Sequence, residues 1–290
     1  MESTTSPLSS RWWSKDTVAV VTGANKGIGY AIVRRLAELG LTVILTARNA
    51  ERGEMAVECL RNSGLRVHFC CLDVSSPNSI HDFVSWFHQK FDALDILVNN
   101  AAISFNNIGE NSVVHCETVI RTNYHGAKLL TDSLLPYFRR SGAISRILNI
   151  TSRLGSLEKV RNPKIRALLE DDDKLSEKQI SNVVDLFLTS VGDGTWETQG
   201  WPEVWTDYAV SKLALNSYSK VLAKQNKGRR LSVNCFCPGF TQTAMTGGVG
   251  KRTAQDAANK AAAIILLPPA SITTGKFYAA NDPSVVNSRL

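Results

Sequence analysis

An apolar run from Thr17 to Val21 leads directly into Thr22-Gly23-Ala24-Asn25-Lys26-Gly27-Ile28-Gly29, and an amphipathic stretch from Ile28 to Leu39 then ends at Gly40. This pattern spells a strand, a tight glycine turn and a helix closed by glycine. Few folds begin that way. Glycines let the main chain turn sharply and approach a pyrophosphate, and the following helix N-terminus favours its negative charge. In this setting the loop is a candidate dinucleotide site, carried by Gly23, Asn25, Lys26, Gly27, Ile28 and Gly29.

The rest of the chain continues the alternation of short apolar runs with helix-length amphipathic ones. L-T-V-I-L-T-A from Leu41, R-V-H-F-C-C-L-D-V from Arg66, L-D-I-L-V-N-N-A-A from Leu94, R-I-L-N-I-T-S from Arg146 and L-S-V-N-C-F-C-P-G from Leu231 read as further strands. Ser76-Pro77 reads as the cap and first residue of a helix. The order predicts an α/β fold, a doubly wound parallel sheet with helices on both faces. At 290 residues one domain, 1–290, fits best. Met1 to Ser14 reads as a loose Ser/Thr-rich tail, or alternatively a plastid signal, and it lacks the apolar centre of a secretory signal.

Composition narrows the function classes. No apolar stretch approaches the roughly 20 residues that span a bilayer, so no membrane span is expected. The net charge of +7 comes from dispersed basic residues with no aromatic-basic stripe, which speaks against nucleic acid and suits a phosphorylated small molecule. The six cysteines, Cys59, Cys70, Cys71, Cys116, Cys235 and Cys237, show no zinc spacing, and no metal site is expected. They read as small buried hydrophobes in a reducing compartment.

A dinucleotide site for NAD usually carries an acid about 20 residues beyond the glycines, whereas one for NADP has an Arg nearby. Here the second strand ends Thr46-Ala47-Arg48 with no acid at its tip, and Lys26 adds a second cation, so NADP(H) is the expected cofactor.

The spacing T-G-x-x-x-G-x-G resembles the short-chain dehydrogenase/reductase family. So do Asp73-Val74, Asn99-Asn100-Ala101-Ala102 and Pro238-Gly239-Phe240-Thr241, which match the family's adenine-contacting D-V, its N-N-A-G with Ala replacing the last Gly, and its P-G segment beside the nicotinamide. The resemblance covers most of the chain and implies a Rossmann-like sheet of about seven strands. It adds Asp73, Val74, Asn100, Pro238, Gly239 and Thr241 to the cofactor-binding set, with Tyr208 and Lys212 bordering the same ligand. Ala102 is expected to crowd the adjoining backbone.

Tyr208-Ala209-Val210-Ser211-Lys212 puts a phenol and an ammonium four residues apart on one helix face. A fixed cation beside a phenol favours its phenolate, which lowers a pKa of about 10. By resemblance, Asn123, Ser152, Tyr208 and Lys212 are the family's catalytic tetrad. Reducing a ketone needs a proton on oxygen, which Tyr208 is suited to give and Lys212 to support. Ser152 would orient the carbonyl, so Ser152 and Tyr208 are the expected substrate contacts. Asn123, on an amphipathic helix, is implied by the family to hold a water linking Lys212 to solvent.

Ser152 and Tyr208 stand 56 positions apart, far more than in most of the family. Within that span Ser176-Glu177-Lys178-Gln179 forms a capping box, followed at helical spacing by Ile180, Val183, Val184, Phe187 and Val191. The acidic run Glu170 to Asp173 reads as solvated surface, and Trp196, Trp201 and Trp205 read first as anchors of the insert, with substrate contact as the alternative. The chain thereby resembles the subgroup that includes carbonyl reductases and the plant reductases of salutaridine and menthone type. That resemblance implies a helical lid over about 156–205 and a monomer, because the insert covers the surface used elsewhere for oligomerisation, and the Trp, Leu and Val of the lid suggest a bulky apolar ketone or aldehyde of terpenoid or alkaloid type as substrate. The alternatives on this scaffold are an enone reductase and a non-catalytic NADP(H) sensor. A cytoplasmic location is expected, with the peroxisome as alternative because Ser288-Arg289-Leu290 is close to the S-K-L address.

Overall fold

The computed structural model describes residues 11–105, 112–140 and 143–282. Most of the N-terminal tail and the Ser288-Arg289-Leu290 tripeptide lie outside the described residues. Among the described residues seven strands form one parallel sheet: β1 (Val18–Val21), β2 (Thr42–Ala47), β3 (Val67–Cys71), β4 (Ile96–Asn99), β5 (Ser145–Ile150), β6 (Leu231–Cys237) and β7 (Phe277–Ala279). Their order is β3-β2-β1-β4-β5-β6-β7. The chain therefore reverses its direction of travel between β1 and β4, which opens a crevice at the carboxyl ends of those strands.

The helices are α1 (Gly27–Glu38), α2 (Ala50–Asn62), α3 (Pro77–Lys90), α4 (Val113–Ile120), α5 (Ala127–Leu134), α6 (Pro163–Glu170), α7 (Glu177–Gly192), α8 (Thr206–Gln225) and α9 (Ala254–Ile265). Alternate strand residues serve opposite faces, as a period of two demands. Ala19 and Val21 of β1 pack with Ile32, Leu36, Val57 and Ala261 under α1, α2 and α9. Val18 and Val20 pack with Phe83, Ile120, Leu130 and Val210 on the other face. The caps read from sequence are present: Ser76 accepts from the Ser79 N–H with Pro77 opening α3, and Ser176 with Gln179 closes a reciprocal capping box on α7.

α8 is buried along nearly its whole circumference, which an ordinary surface helix is not. The sheet covers one side of it, and α7 covers another. Ile180, Val183, Val184, Phe187 and Val191 of α7 are all buried as their spacing predicts, each adding up to about 1.5–3 kcal/mol of hydrophobic stabilisation. α7 also packs on α4, and Lys128 ties it to α5 by pairing with Glu177 at 2.7 Å and Asp132 at 2.6 Å. The acidic run before α7 is exposed as expected, yet it is docked on α8: Lys220 meets Asp172 at 3.2 Å and Lys224 meets Asp173 at 3.6 Å.

Two expectations need correction. Arg11 to Ser14 do not belong to a loose tail. Trp12 donates from Nε1 to the Leu266 carbonyl at 3.3 Å and lies 3.9 Å beneath the buried Arg146 guanidinium, and Trp13 donates to the Leu39 carbonyl at 3.2 Å. Both indoles thus satisfy carbonyls at helix ends that would otherwise lack partners. No disulfide joins the six cysteines, but only Cys116, Cys235 and Cys237 are buried. Cys70 is half-buried and Cys71 exposed because β3 is the edge strand, and Cys59 sits on the open face of α2.

Candidate active site

The crevice at the carboxyl ends of the strands is a cavity of about 1250 Å³. Every predicted site residue lines it except Gly29 and Asn123. The glycine loop forms its floor. Gly23 has φ +61, and Gly29 is packed so tightly that an added Cβ would meet the Asn100 amide and, at 2.9 Å, the Ala24 Cα. Asn100 completes the turn by donating from Nδ2 to the Thr22 and Gly23 carbonyls at 2.8 and 3.1 Å. Thr22 answers from the other side, its hydroxyl accepting from the Asn100 and Ala101 N–H groups at 3.0 Å each. The hydroxyl of Thr22 is thus a structural pin of the loop, visible in the motif but not among the predicted site residues. Ala102 lines the cavity without positive φ, so the replacement of glycine there strains no backbone.

The chemistry of the floor suits an anionic, phosphate-bearing ligand. α1 begins at the cavity with no capping bond from the side chain of its N-cap, Lys26, and among the described residues its first-turn N–H groups are open to an anion. Lys26 and Arg48 line the same end, are exposed, and have no ion-pair partner among the described residues. The buried hydroxyls of Thr151 and Ser104 also lie at the wall, with no hydrogen-bond partner among the described residues. Buried polar atoms are rarely left so. Neither residue was expected from sequence, since only their burial identifies them. Asp73 is held by Ser75, whose N–H and hydroxyl donate to Oδ1 at 2.9 and 2.6 Å.

At the other end stand Ser152, Tyr208 and Lys212. Ser152 lies two residues beyond β5, where it caps a 3-10 turn by accepting from the Leu154 N–H at 3.1 Å. Lys212, 2% exposed, sends its ammonium to the Ile150 carbonyl at 2.9 Å and lies 5.4 Å from the Tyr208 ring centroid. Burial pulls the Lys212 ammonium down to about 8 and pushes the Tyr208 phenol above its usual value, with Cys237 adding to the rise. The expected lowering of the tyrosine by its lysine is therefore overturned in the protein alone. Desolvation penalises both ions and is the largest cause of each shift. The consequence is a phenol that holds its proton at rest.

Asn123 does not reach the cavity wall. It sits in a π-helical turn, Arg121–Gly126, that joins α4 to α5, where an amphipathic α-helix was expected. Its amide is fully used: Oδ1 accepts from the Ile103 N–H at 2.8 Å, and Nδ2 donates to the Ile103 carbonyl at 2.9 Å and the Ser211 hydroxyl at 3.0 Å. Ser211 in turn donates to the Tyr208 carbonyl at 2.7 Å. Asn123 thus braces the loop after β4 against α8, and π turns of this kind occur often at functional sites.

The insert meets the cavity only through its ends. Ser156, Glu158 and Lys159 at one end and Val204 and Trp205 at the other line it, while α6 and α7 pack against the body. Trp201 is the core anchor, 2% exposed, with Nε1 donating to the Ser190 hydroxyl at 3.0 Å.

A sequence model of short chain dehydrogenase matches residues 17–164 and 196–254. Salutaridine reductase of Papaver bracteatum is 37% identical over 307 residues, covering 93% of this chain and 96% of that protein. Carbonyl reductase [NADPH] 1 of Mus musculus is 32% identical over 264 residues, covering 88% and 93%. The solved structure of salutaridine reductase from Papaver somniferum superposes with a TM-score of 0.83 at 34% identity, covering 90% of this chain and 99% of that one.

Proposed function

The chain belongs to the short chain dehydrogenase family, and from that premise we propose that it is an NADPH-dependent reductase of a bulky apolar ketone or aldehyde, with Tyr208 as proton donor. The observation that carries the reading is the shared cavity: Ser152, Tyr208 and Lys212 at one end, the glycine loop with Lys26 and Arg48 at the other.

Gly23, Asn25, Gly27, Ile28 and the α1 N-terminus would hold the pyrophosphate, and Lys26 and Arg48 a 2′-phosphate. Asp73, Val74 and Asn100 would border the adenosine half, and Pro238, Gly239 and Thr241 the nicotinamide. When bound, the reduced nicotinamide supplies a hydride to the carbonyl carbon. The protein supplies the rest. The Ser152 hydroxyl donates to the carbonyl oxygen and fixes its direction. Tyr208, protonated at rest because it is buried, gives its proton as negative charge grows on that oxygen. The Lys212 ammonium, held by Ile150, stabilises the phenolate that is left. Asn123 keeps the Ile103 loop and α8 in register while this happens.

Apolar side chains at the wall, Leu154, Val204, Trp205, Phe240 and Met245, support an apolar substrate. Incubating the protein with NADPH and a panel of ketones, aldehydes and enones, while following loss of nicotinamide absorbance and identifying products, tests the reading. Alcohol products support it; saturated ketones from enones alone, or no oxidation of NADPH, refute it. The cover that α7 gives to α4 and α8 supports a monomer, which light scattering checks against a stable tetramer. A location in the cytoplasm or the peroxisome is tested by a fluorescent fusion with and without Leu290.

A further inference from the structure

Trp205 adopts φ 51 and ψ 57, the left-handed region. Among the described residues it shares a positive φ outside glycine only with Arg230. Bulky side chains are genuine outliers there, and glycine or asparagine would take the conformation at less cost. The position is also the N-cap of α8, where a Ser, Thr, Asp or Asn would satisfy an orphan N–H, and the indole provides no such bond. Neither local conformation nor helix capping accounts for a tryptophan.

Core packing does not account for it either. Trp201 already fills the core beside Phe187, at 5.2 Å and an interplanar angle of 71°. Trp205 is half-buried and faces the cavity instead. Its ring meets that of Tyr208 edge-on, with centroids 6.0 Å apart and an angle of 80°. Val204, 57% exposed, precedes it on the same wall, and Leu154, Phe240 and Met245 line the cavity with them. Backbone strain of this kind persists where surrounding structure holds a residue in place, and it concentrates at ligand sites.

We propose that Trp205 is the specificity-determining residue of the substrate end, its constrained backbone presenting the indole beside Tyr208 as an apolar wall for a ring-bearing carbonyl compound. The proposal rests on the reading that Tyr208 serves a bound carbonyl. It assigns selection to the last residue of the insert rather than to α6 or α7.

The test compares wild type, Trp205→Gly and Trp205→Phe, each saturated with NADP⁺, in calorimetric titrations with menthone and with cyclopentanone, beside steady-state kinetics with NADPH. Glycine suits the observed φ and removes the ring, so its Tm should match or exceed wild type. Loss of one aromatic wall should weaken menthone binding about tenfold and raise its KM to match, while cyclopentanone changes less than about twofold. Trp205→Phe should recover most of the menthone affinity. The proposal is overturned by equal menthone affinity in wild type and Trp205→Gly, by no menthone binding to wild type, or by equal loss of both ketones. Binding that depends on Trp205 without any NADPH oxidation would keep the wall and sink the reductase reading. NADPH oxidation that is indifferent to Trp205 would do the reverse.

Discussion

Lys212 reaches from α8 to the end of β5, where its ammonium donates to the Ile150 carbonyl at 2.9 Å. That single bond fixes the cation beside the Tyr208 ring and two residues from Ser152. Burial brings the ammonium down to about 8, so it loses its proton as pH rises through that value. If the ammonium supports the phenolate, kcat/KM for carbonyl reduction should be flat below about pH 8 and fall above it. Lys212→Met should be at least about a hundredfold slower and lack that limb, as expected for removal of a group assisting proton transfer. A pH series of initial rates on both proteins checks this.

For stability the same depression has the opposite sign. Between about 8 and the unperturbed 10.5 the unfolded chain carries more protons on this lysine than the folded one. Stability therefore rises with pH across that window. Urea unfolding should show wild type gaining on Lys212→Met between pH 8 and 10.5, by up to roughly 3 kcal/mol. The comparison cancels titrations common to both proteins. A gap that stays constant would mean the buried lysine is not depressed.

Arg48 follows β2 with no acid at the strand tip, and its guanidinium has no ion-pair partner among the described residues. Arg48→Asp should raise the KM for NADPH by tenfold or more, on the order of a lost charge-assisted phosphate contact, and change that for NADH far less. Equal effects on both cofactors would remove Arg48 from the 2′-phosphate.

Gly29 leaves no room for a methyl group between Asn100 and Ala24. Gly29→Ala should push Asn100 off the Thr22 and Gly23 carbonyls and cost about 1–3 kcal/mol of stability, the usual range for overpacking. NADPH should bind more weakly as well. Thermal unfolding with and without cofactor reads both effects.

The glycine loop was legible in the sequence because its conformation is set locally, by residues that permit the turn and by the strand and helix on either side. The helix of the insert was legible for the same reason, through Ser176, Gln179 and the spacing from Ile180 to Val191. Where that helix docks was not, since periodicity gives an apolar face and no partner for it. α7 turned out to cover α8, leaving the cavity to the two ends of the insert. The three residues of β7 carry too little pattern to stand out. The π turn at Asn123 is equally silent, because one extra residue per turn barely disturbs an amphipathic repeat over so short a span. Trp205 shows the same limit most clearly: its left-handed backbone is imposed by tertiary structure, and sequence left it open between an anchor of the insert and a substrate contact. The direction of the Tyr208 shift was misread because the two-residue argument counted attraction between phenolate and ammonium without the burial of both.

The most direct test of the account is Tyr208→Phe, which removes one hydroxyl and keeps the ring that packs against Trp205 and Lys212. NADPH affinity, measured by calorimetry, should stay within about twofold of wild type, while reduction of the best ketone substrate should fall by about a thousandfold, within the range for loss of a general acid. Turnover near the wild-type rate in a variant that binds NADPH normally would contradict the assignment of Tyr208 as the proton donor.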